Sequence, residues 1–121
     1  MSTLVAVYGT LKRGLINYPL LQDAGLVGTD TLDCITLYDL GPYPGARLEP
    51  SGGILVEVFR VSNAELAQLD VLEDYSPEAP HLGLYDRQQV QTCYGLAWVY
   101  LYNHSVQGIE AMRQGSWQPA D

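Results

Sequence analysis

Cationic side chains are scarce in this chain. Its 121 residues hold six Lys and Arg against fourteen Asp and Glu, a formal net charge of −8. That balance excludes nucleic acid and anionic membrane surfaces as main partners, because both demand that phosphates be neutralised. An anionic ligand must instead be captured locally, by backbone amides and one or two placed cations; Lys12, Arg13 and Arg47 fall in loop-like segments. Cysteine is nearly absent as well. Cys34 and Cys93 stand far apart, in no CxxC or metal-ligand spacing, and are read as buried free thiols in a reducing compartment. Long apolar runs are missing: the longest, Leu96 to Tyr102, is far too short to cross a bilayer. Met1 to Tyr8 has neither the basic start nor the apolar length of a signal peptide. A soluble cytoplasmic protein is expected. Residues 1–121 are read as a single domain, and 47% hydrophobic content is enough for one core without a metal or disulfide.

What is present reads as strands around one good helix. Leu4-Val5-Ala6-Val7-Tyr8 is apolar on both alternating faces, the mark of a central strand buried on two sides, and it stops at Gly9. Asn17 to Ala24 is expected to be a short helix with Leu20, Leu21 and Ala24 inward, and Leu32 to Leu40 a second strand. Gly41-Pro42-Tyr43-Pro44-Gly45 is read as unable to continue a ladder. After the Gly52-Gly53 turn comes a strong strand, Ile54 to Val61. The period then changes to a helical one: Ser62-Asn63-Ala64-Glu65 has capping-box form, and Leu66, Leu69 and Leu72 follow. Ser76 to Gly83, with two prolines, is a loop. Tyr85 to Thr92 and the aromatic run Tyr94 to Tyr102 are strands, with Gly95 at a bulge, and Ser105 to Met112 is a last short helix. The class is α+β, with a small mixed, barrel-like sheet and a few short helices.

Three places can carry chemistry. The turn Tyr8-Gly9-Thr10-Leu11 follows a buried strand, where a glycine lets successive N–H groups converge on a carboxylate or phosphate; the alternative is an ordinary strand-to-loop turn. It is not a P-loop, since no G-x-x-x-x-G-K-[ST] is present. Glu73 lies one helical turn after Leu69, hence on the apolar face, where desolvation raises a carboxyl pKa toward the range that proton transfer needs. The opposing reading is a solvated helix end beside Asp70 and Asp74, either of which is an alternative inward acid. The third is a group of Tyr43, Tyr75, Tyr85 and Arg87. Nine tyrosines against one phenylalanine is a bias toward rings that keep a hydroxyl, and Tyr85 and Arg87 share a strand face. A structural pairing of Arg87 with an acid such as Glu57 is the competing account. His81 and His104 have no Cys or carboxylate at ligand spacing and read as surface residues. No G-x-S-x-G elbow supports Ser-His-Asp chemistry, so a lone carboxylate is the remaining familiar device.

These residues, in this order, resemble the γ-glutamylcyclotransferase-like (AIG2-like) family. Val5 through Gly14 resembles its opening strand and loop, and Tyr43-Pro44-Gly45-Ala46 its second loop. Gly53 through Arg60 and then Leu69-Asp70-Val71-Leu72-Glu73-Asp74-Tyr75 are similar to its strand-helix segment ending in the catalytic glutamate. Tyr85-Asp86-Arg87 matches its Y-x-R strand, and Cys93 to Trp117 is nearest to small bacterial members. The resemblance implies a cradle-like α/β barrel and an enzyme that needs no metal or cofactor. It acts on a small-molecule γ-glutamyl amine or peptide and releases 5-oxoproline. Glu73 is then the general acid/base. Tyr8, Gly9, Thr10 and Leu11 hold the α-carboxylate, and Tyr43, Tyr85 and Arg87 complete the substrate site. A non-catalytic carboxylate-binding protein of the same fold is the alternative. The segment from Asp74 to Leu84 is longer than in compact relatives and is expected to be a lid or specificity loop.

Overall fold

Because Leu4-Val5-Ala6-Val7 is apolar at every position, it belongs where a strand loses water on both sides. In the computed structural model, which describes residues 2–118, β1 (Ser2–Val7) lies between β5 (Ile54–Ser62) and β7 (Gly95–Tyr102) in an eight-stranded mixed sheet. β5 runs antiparallel to β1 from Ser2↔Ser62 to Val7↔Glu57, and its other edge carries β2 (Gly25–Leu32). β6 (Tyr85–Thr92) and β7 form a full-length hairpin, from Thr92↔Gly95 to Tyr85↔Tyr102. β3 (Thr36–Asp39), β4 (Pro44–Arg47) and short β8 (Ala111–Met112) complete the far side. The sheet curls into a half-barrel. Among the described residues one α-helix, α1 (Asn63–Leu72), covers it, beside a 3₁₀ turn at Tyr18–Leu21.

Period-two alternation sorts the core onto two faces. Ala97, Val99 and Leu101 pack with Leu4, Ala6, Val56 and Val58 on one face. Tyr100 points the other way, with Val5, Val7, Phe59 and Val61, and there Leu69 of α1 and Leu21 close over them. Leu69, Leu21 and Phe59 are fully buried, so this second layer is what fixes α1 on the sheet.

One edge of β7 is taken by β6 along its whole length. The other edge is shared: β1 pairs in parallel at Val5↔Trp98, and β4 in parallel at Ala46↔Leu101. β1 must therefore leave the sheet just where β4 joins it, and it leaves at Tyr8-Gly9. The Tyr8 hydroxyl fills the gap in the ladder, donating to the Tyr100 carbonyl at 2.7 Å and accepting from the Ala46 N–H at 3.2 Å. Gly9 is required by the close approach of Pro44, since a Cβ there would stand 2.9 Å from the proline ring.

Several sequence expectations change. Pro44-Gly45 does enter a ladder: Pro44 is the first residue of β4, where no N–H is needed, and the Leu40 N–H to Tyr43 carbonyl bond closes the hairpin. The expected strand Leu32 to Leu40 breaks at Asp33-Cys34, because Leu32 ends its pairing with β5 and Thr36 begins another with β4. Ser105 to Met112 is not a helix. Gly108 has φ 78°, the Glu110 carbonyl takes the Asp39 N–H, and Ala111–Met112 extends the sheet as β8. Asn17 to Ala24 reduces to the 3₁₀ turn, with Pro19 at its start. Gly95 is no bulge; it pairs with Thr92 just after the hairpin turn. Cys34 and Cys93 are exposed, since each lies where a strand has ended.

Candidate active site

The helix that carries Glu73 is set at both ends. Ser62 Oγ accepts from the Glu65 N–H at 3.1 Å and the Glu65 carboxylate accepts from the Ser62 N–H at 2.8 Å, a complete capping box. At the far end Asp74 turns left-handed, φ 55°. Its N–H returns to the Val71 carbonyl and that of Tyr75 to the Asp70 carbonyl, a Schellman closure with an aspartate where glycine is usual. The Asp74 carboxylate accepts from the Leu84 N–H at 3.0 Å, and Asn103 donates to the carbonyls of Pro80 and Gly83. The 74–84 loop is thus pinned at its base rather than hanging free, and it gives Leu84 to the cavity. Glu73 is the helix C-cap, aimed by this closure at the place where β1 and β4 part.

A cavity of about 390 Å³ opens there. Its wall includes Tyr8, Gly9, Thr10 and Leu11 from the turn, Pro42 and Tyr43 before β4, Pro44 at its start, Glu73, Tyr85 and Tyr100. Lys12 N–H donates to the Gly9 carbonyl and Asn17 N–H to the Thr10 carbonyl, while the N–H groups of Gly9, Thr10 and Leu11 find no acceptor among the described residues. Asn17 Nδ2 donates to Thr10 Oγ1 at 2.8 Å, leaving the threonine proton for a ligand. The Glu73 carboxylate is half-buried and accepts no hydrogen bond from the described side chains; burial lifts its pKa from 4.5 to about 7. Burial also raises the hydroxyls of Tyr8, Tyr85 and Tyr100, each further raised by the charge of Glu73.

The structure brings together the sequence-derived candidates except Tyr75 and Arg87, which stack on each other outside the cavity wall. Arg87 does not line the cavity. It grips Asp70, with Nε at 2.9 Å, and stacks on Trp98 and Tyr75. Glu57 is taken by Arg13 instead. Asp70 is therefore occupied, and Asp74 holds the loop, so neither competes with Glu73. Lys12 also turns away, buried against the Trp117 carbonyl and Ser116. Among the described residues no Lys or Arg lines the cavity. Tyr100 and Asn17 were missed. For Tyr100 a signal existed: a two-residue turn at Cys93-Tyr94 sets Tyr100 opposite Arg87.

Fold and site define a small half-barrel protein with a carboxylate-bearing cavity at the split of its sheet. The chain belongs to the family described as Gamma-glutamyl cyclotransferase, AIG2-like, which it matches over residues 5–119. It is 38% identical over 117 residues to the Escherichia coli gamma-glutamylcyclotransferase family protein YtfP, covering 97% of each chain. The solution structure of that protein superposes with a TM-score of 0.73 over 97% of this chain and 96% of that one. The gamma-L-glutamyl-butirosin B gamma-glutamyl cyclotransferase of Niallia circulans is 33% identical over 102 residues, 80% of this chain and 65% of that one. An AIG2-like protein from Mus musculus, 22% identical, shares the fold, with a TM-score of 0.75 over 97% of this chain and 88% of that one.

Proposed function

We propose that this chain is a cyclotransferase that releases 5-oxoproline from a γ-glutamyl amine or γ-glutamyl peptide. One observation carries the reading: an uncompensated carboxylate with a pKa of about 7 shares a cavity wall with a turn of unpaired amides. The amides of Tyr8 to Leu11 suit the substrate α-carboxylate, and Tyr43 and Tyr85 enclose the glutamyl chain. Glu73, as carboxylate, takes a proton from the α-ammonium. The freed amine attacks the γ-carbonyl carbon, closing a five-membered ring. Glu73 then gives its proton to the leaving nitrogen as the old C–N bond breaks, and the ring nitrogen's second proton passes to the departing amine or to water. A pKa near the working pH suits both halves of this transfer. Holding the chain folded supplies much of the remaining barrier reduction. The Niallia protein, named as a gamma-glutamyl cyclotransferase of gamma-L-glutamyl-butirosin B, supports the reaction class.

The test is 5-oxoproline release from a panel of γ-glutamyl amides and peptides. Glu73→Gln is expected to slow it by roughly 10²–10⁴-fold. In the wild type kcat/KM should fall as pH drops below about 7, where Glu73 becomes protonated. Release by the variant at the wild-type rate refutes the role of Glu73. Saturable binding of γ-glutamyl compounds without product from any of them would identify a carboxylate-binding protein instead.

A further inference from the structure

Four tyrosines line the cavity that holds Glu73, none of them hydrogen-bonded to it among the described residues, and three have their protons fixed by other acceptors. Tyr8 donates to the Tyr100 carbonyl at 2.7 Å, Tyr85 to the Pro44 carbonyl at 2.8 Å, and Tyr100 to Asp70 Oδ1 at 2.7 Å. A hydroxyl beside a carboxylate ordinarily donates to it, because that bond is charge-assisted. Here those three protons are drawn elsewhere. Two go to backbone carbonyls and are fixed by the fold itself. The third depends on a side chain. Asp70 accepts it while bound by Arg87, through Nε at 2.9 Å and a second guanidinium nitrogen at 3.3 Å. The guanidinium is clamped 4.2 Å from the Trp98 ring and 4.7 Å from that of Tyr75. Neither Asp70 nor Arg87 lines the cavity, so this largely buried ion pair reaches it only through Tyr100.

We propose that Tyr100 is a positioning residue whose proton is locked onto Asp70, so that its oxygen offers the cavity lone pairs only. It then accepts a hydrogen bond from the substrate α-ammonium and cannot donate to Glu73, which stays an able base. The inference rests on Glu73 being the proton-transfer group. The groups around Glu73 fit it: Tyr8 at the end of β1, Tyr85 on β6 and Tyr100 on β7 are acceptors, Tyr43 lines the same cavity, and on its own helix Asp70 and Asp74 are engaged elsewhere.

The experiment follows the Glu73 carboxyl by ¹³C NMR titration in the ligand-free protein. Asp70→Ala frees the Tyr100 proton for Glu73 and also leaves Arg87 uncompensated, and both effects lower the Glu73 midpoint. Asp70→Ala combined with Tyr100→Phe keeps the second effect and removes the first. The midpoint of the double variant is expected about one pH unit above that of Asp70→Ala, roughly tenfold in proton affinity. Equal midpoints overturn the proposal. Should Asp70→Ala lose its native fold, Asp70→Leu, which fills a similar volume and likewise has no acceptor for the hydroxyl, serves in its place with the same Tyr100→Phe comparison. With a substrate in hand, Tyr100→Phe should raise KM about tenfold while kcat changes less; an unchanged KM counts against the ammonium contact. The titration needs no substrate, so a wild type that releases no 5-oxoproline would sink the reaction while the midpoints still decided Tyr100.

Discussion

Replacing Glu73 with Gln should make the protein more stable, and only toward alkaline pH. Burial raises the carboxyl from 4.5 to about 7, so the folded state disfavours the charged form. The sign follows from linkage. Below pH 4.5 the group is protonated in both folded and unfolded chains and costs nothing. Between 4.5 and 7 the unfolded chain ionises first, and the folded state loses ground with each pH unit. Above 7 the carboxylate is charged in both states and the full deficit stands. A shift of that size corresponds to about 3 kcal/mol, trimmed to roughly 2 kcal/mol because the carboxylate borders a cavity that water enters. Glutamine has nearly the same shape and no charge to desolvate. Urea unfolding at pH 4.5, 6 and 8 should therefore give wild type and Glu73→Gln near-equal stabilities at the lowest pH. At pH 8 the variant should lead by about 2 kcal/mol, roughly 10 °C in Tm. The other carboxylates titrate alike in both proteins and cancel. A constant difference across the three pH values, or a variant less stable at pH 8, would refute the reasoning.

Two further outcomes bear on how the site is held. Tyr8→Phe removes the hydroxyl that serves both the Tyr100 carbonyl and the Ala46 N–H, and should cost about 1–3 kcal/mol in urea unfolding with the fold retained; a loss under about 0.5 kcal/mol would show that water replaces it. Gly83→Ala would set a Cβ 1.8 Å from the Asp74 carbonyl oxygen, so the loop and the helix end must part; faster amide exchange at Asp74 and Leu84 is expected, and unchanged exchange would mean the clamp does not hold Glu73 in place.

The helix was legible because its signals are local. The capping box and the Leu66-Leu69 spacing lie within a dozen residues, and they placed Glu73 one turn beyond Leu69 before any contact was known. β1 and the β6–β7 hairpin were legible for the same reason, through unbroken apolarity and through two runs joined at a short turn. What was hidden depends on distant pairing. Gly25–Leu32 is polar and glycine-rich, and is a strand only because it lies along the edge of β5. Pro44 enters a ladder only because Tyr38 and Asp39 are there to meet Gly45 and Pro44. Ala111–Met112 is drawn straight by β3, against a pattern that reads as helical. The site divides likewise. Gly9 through Leu11 and Glu73 were found as local oddities, whereas the partner of Arg87 was misjudged. Asp70 and Glu57 are equally plausible on paper, and only the folded position of α1, which brings Asp70 within reach of Arg87 on β6 and Tyr100 on β7, selects Asp70.

The scarcity of cations takes on a chemical sense once their places are known. Lys12 is spent on the C-terminal segment, Arg13 on Glu57, Arg47 on the His104 carbonyl and Arg87 on Asp70. A lysine or arginine in the cavity would bind a substrate carboxylate more strongly than amides do. It would also stabilise ionised Glu73, and each pKa unit lost by that route is a tenfold loss of proton affinity. A group that must both take and return a proton near neutral pH is better served by neutral neighbours. Amide N–H groups hold an anion with partial charges fixed in direction, so their field is directed at the carboxylate of a ligand and need not fall on Glu73. On the proposed reading, burial without cations, three tyrosine protons turned aside and an amide turn are parts of one arrangement: each removes a force that would keep Glu73 charged.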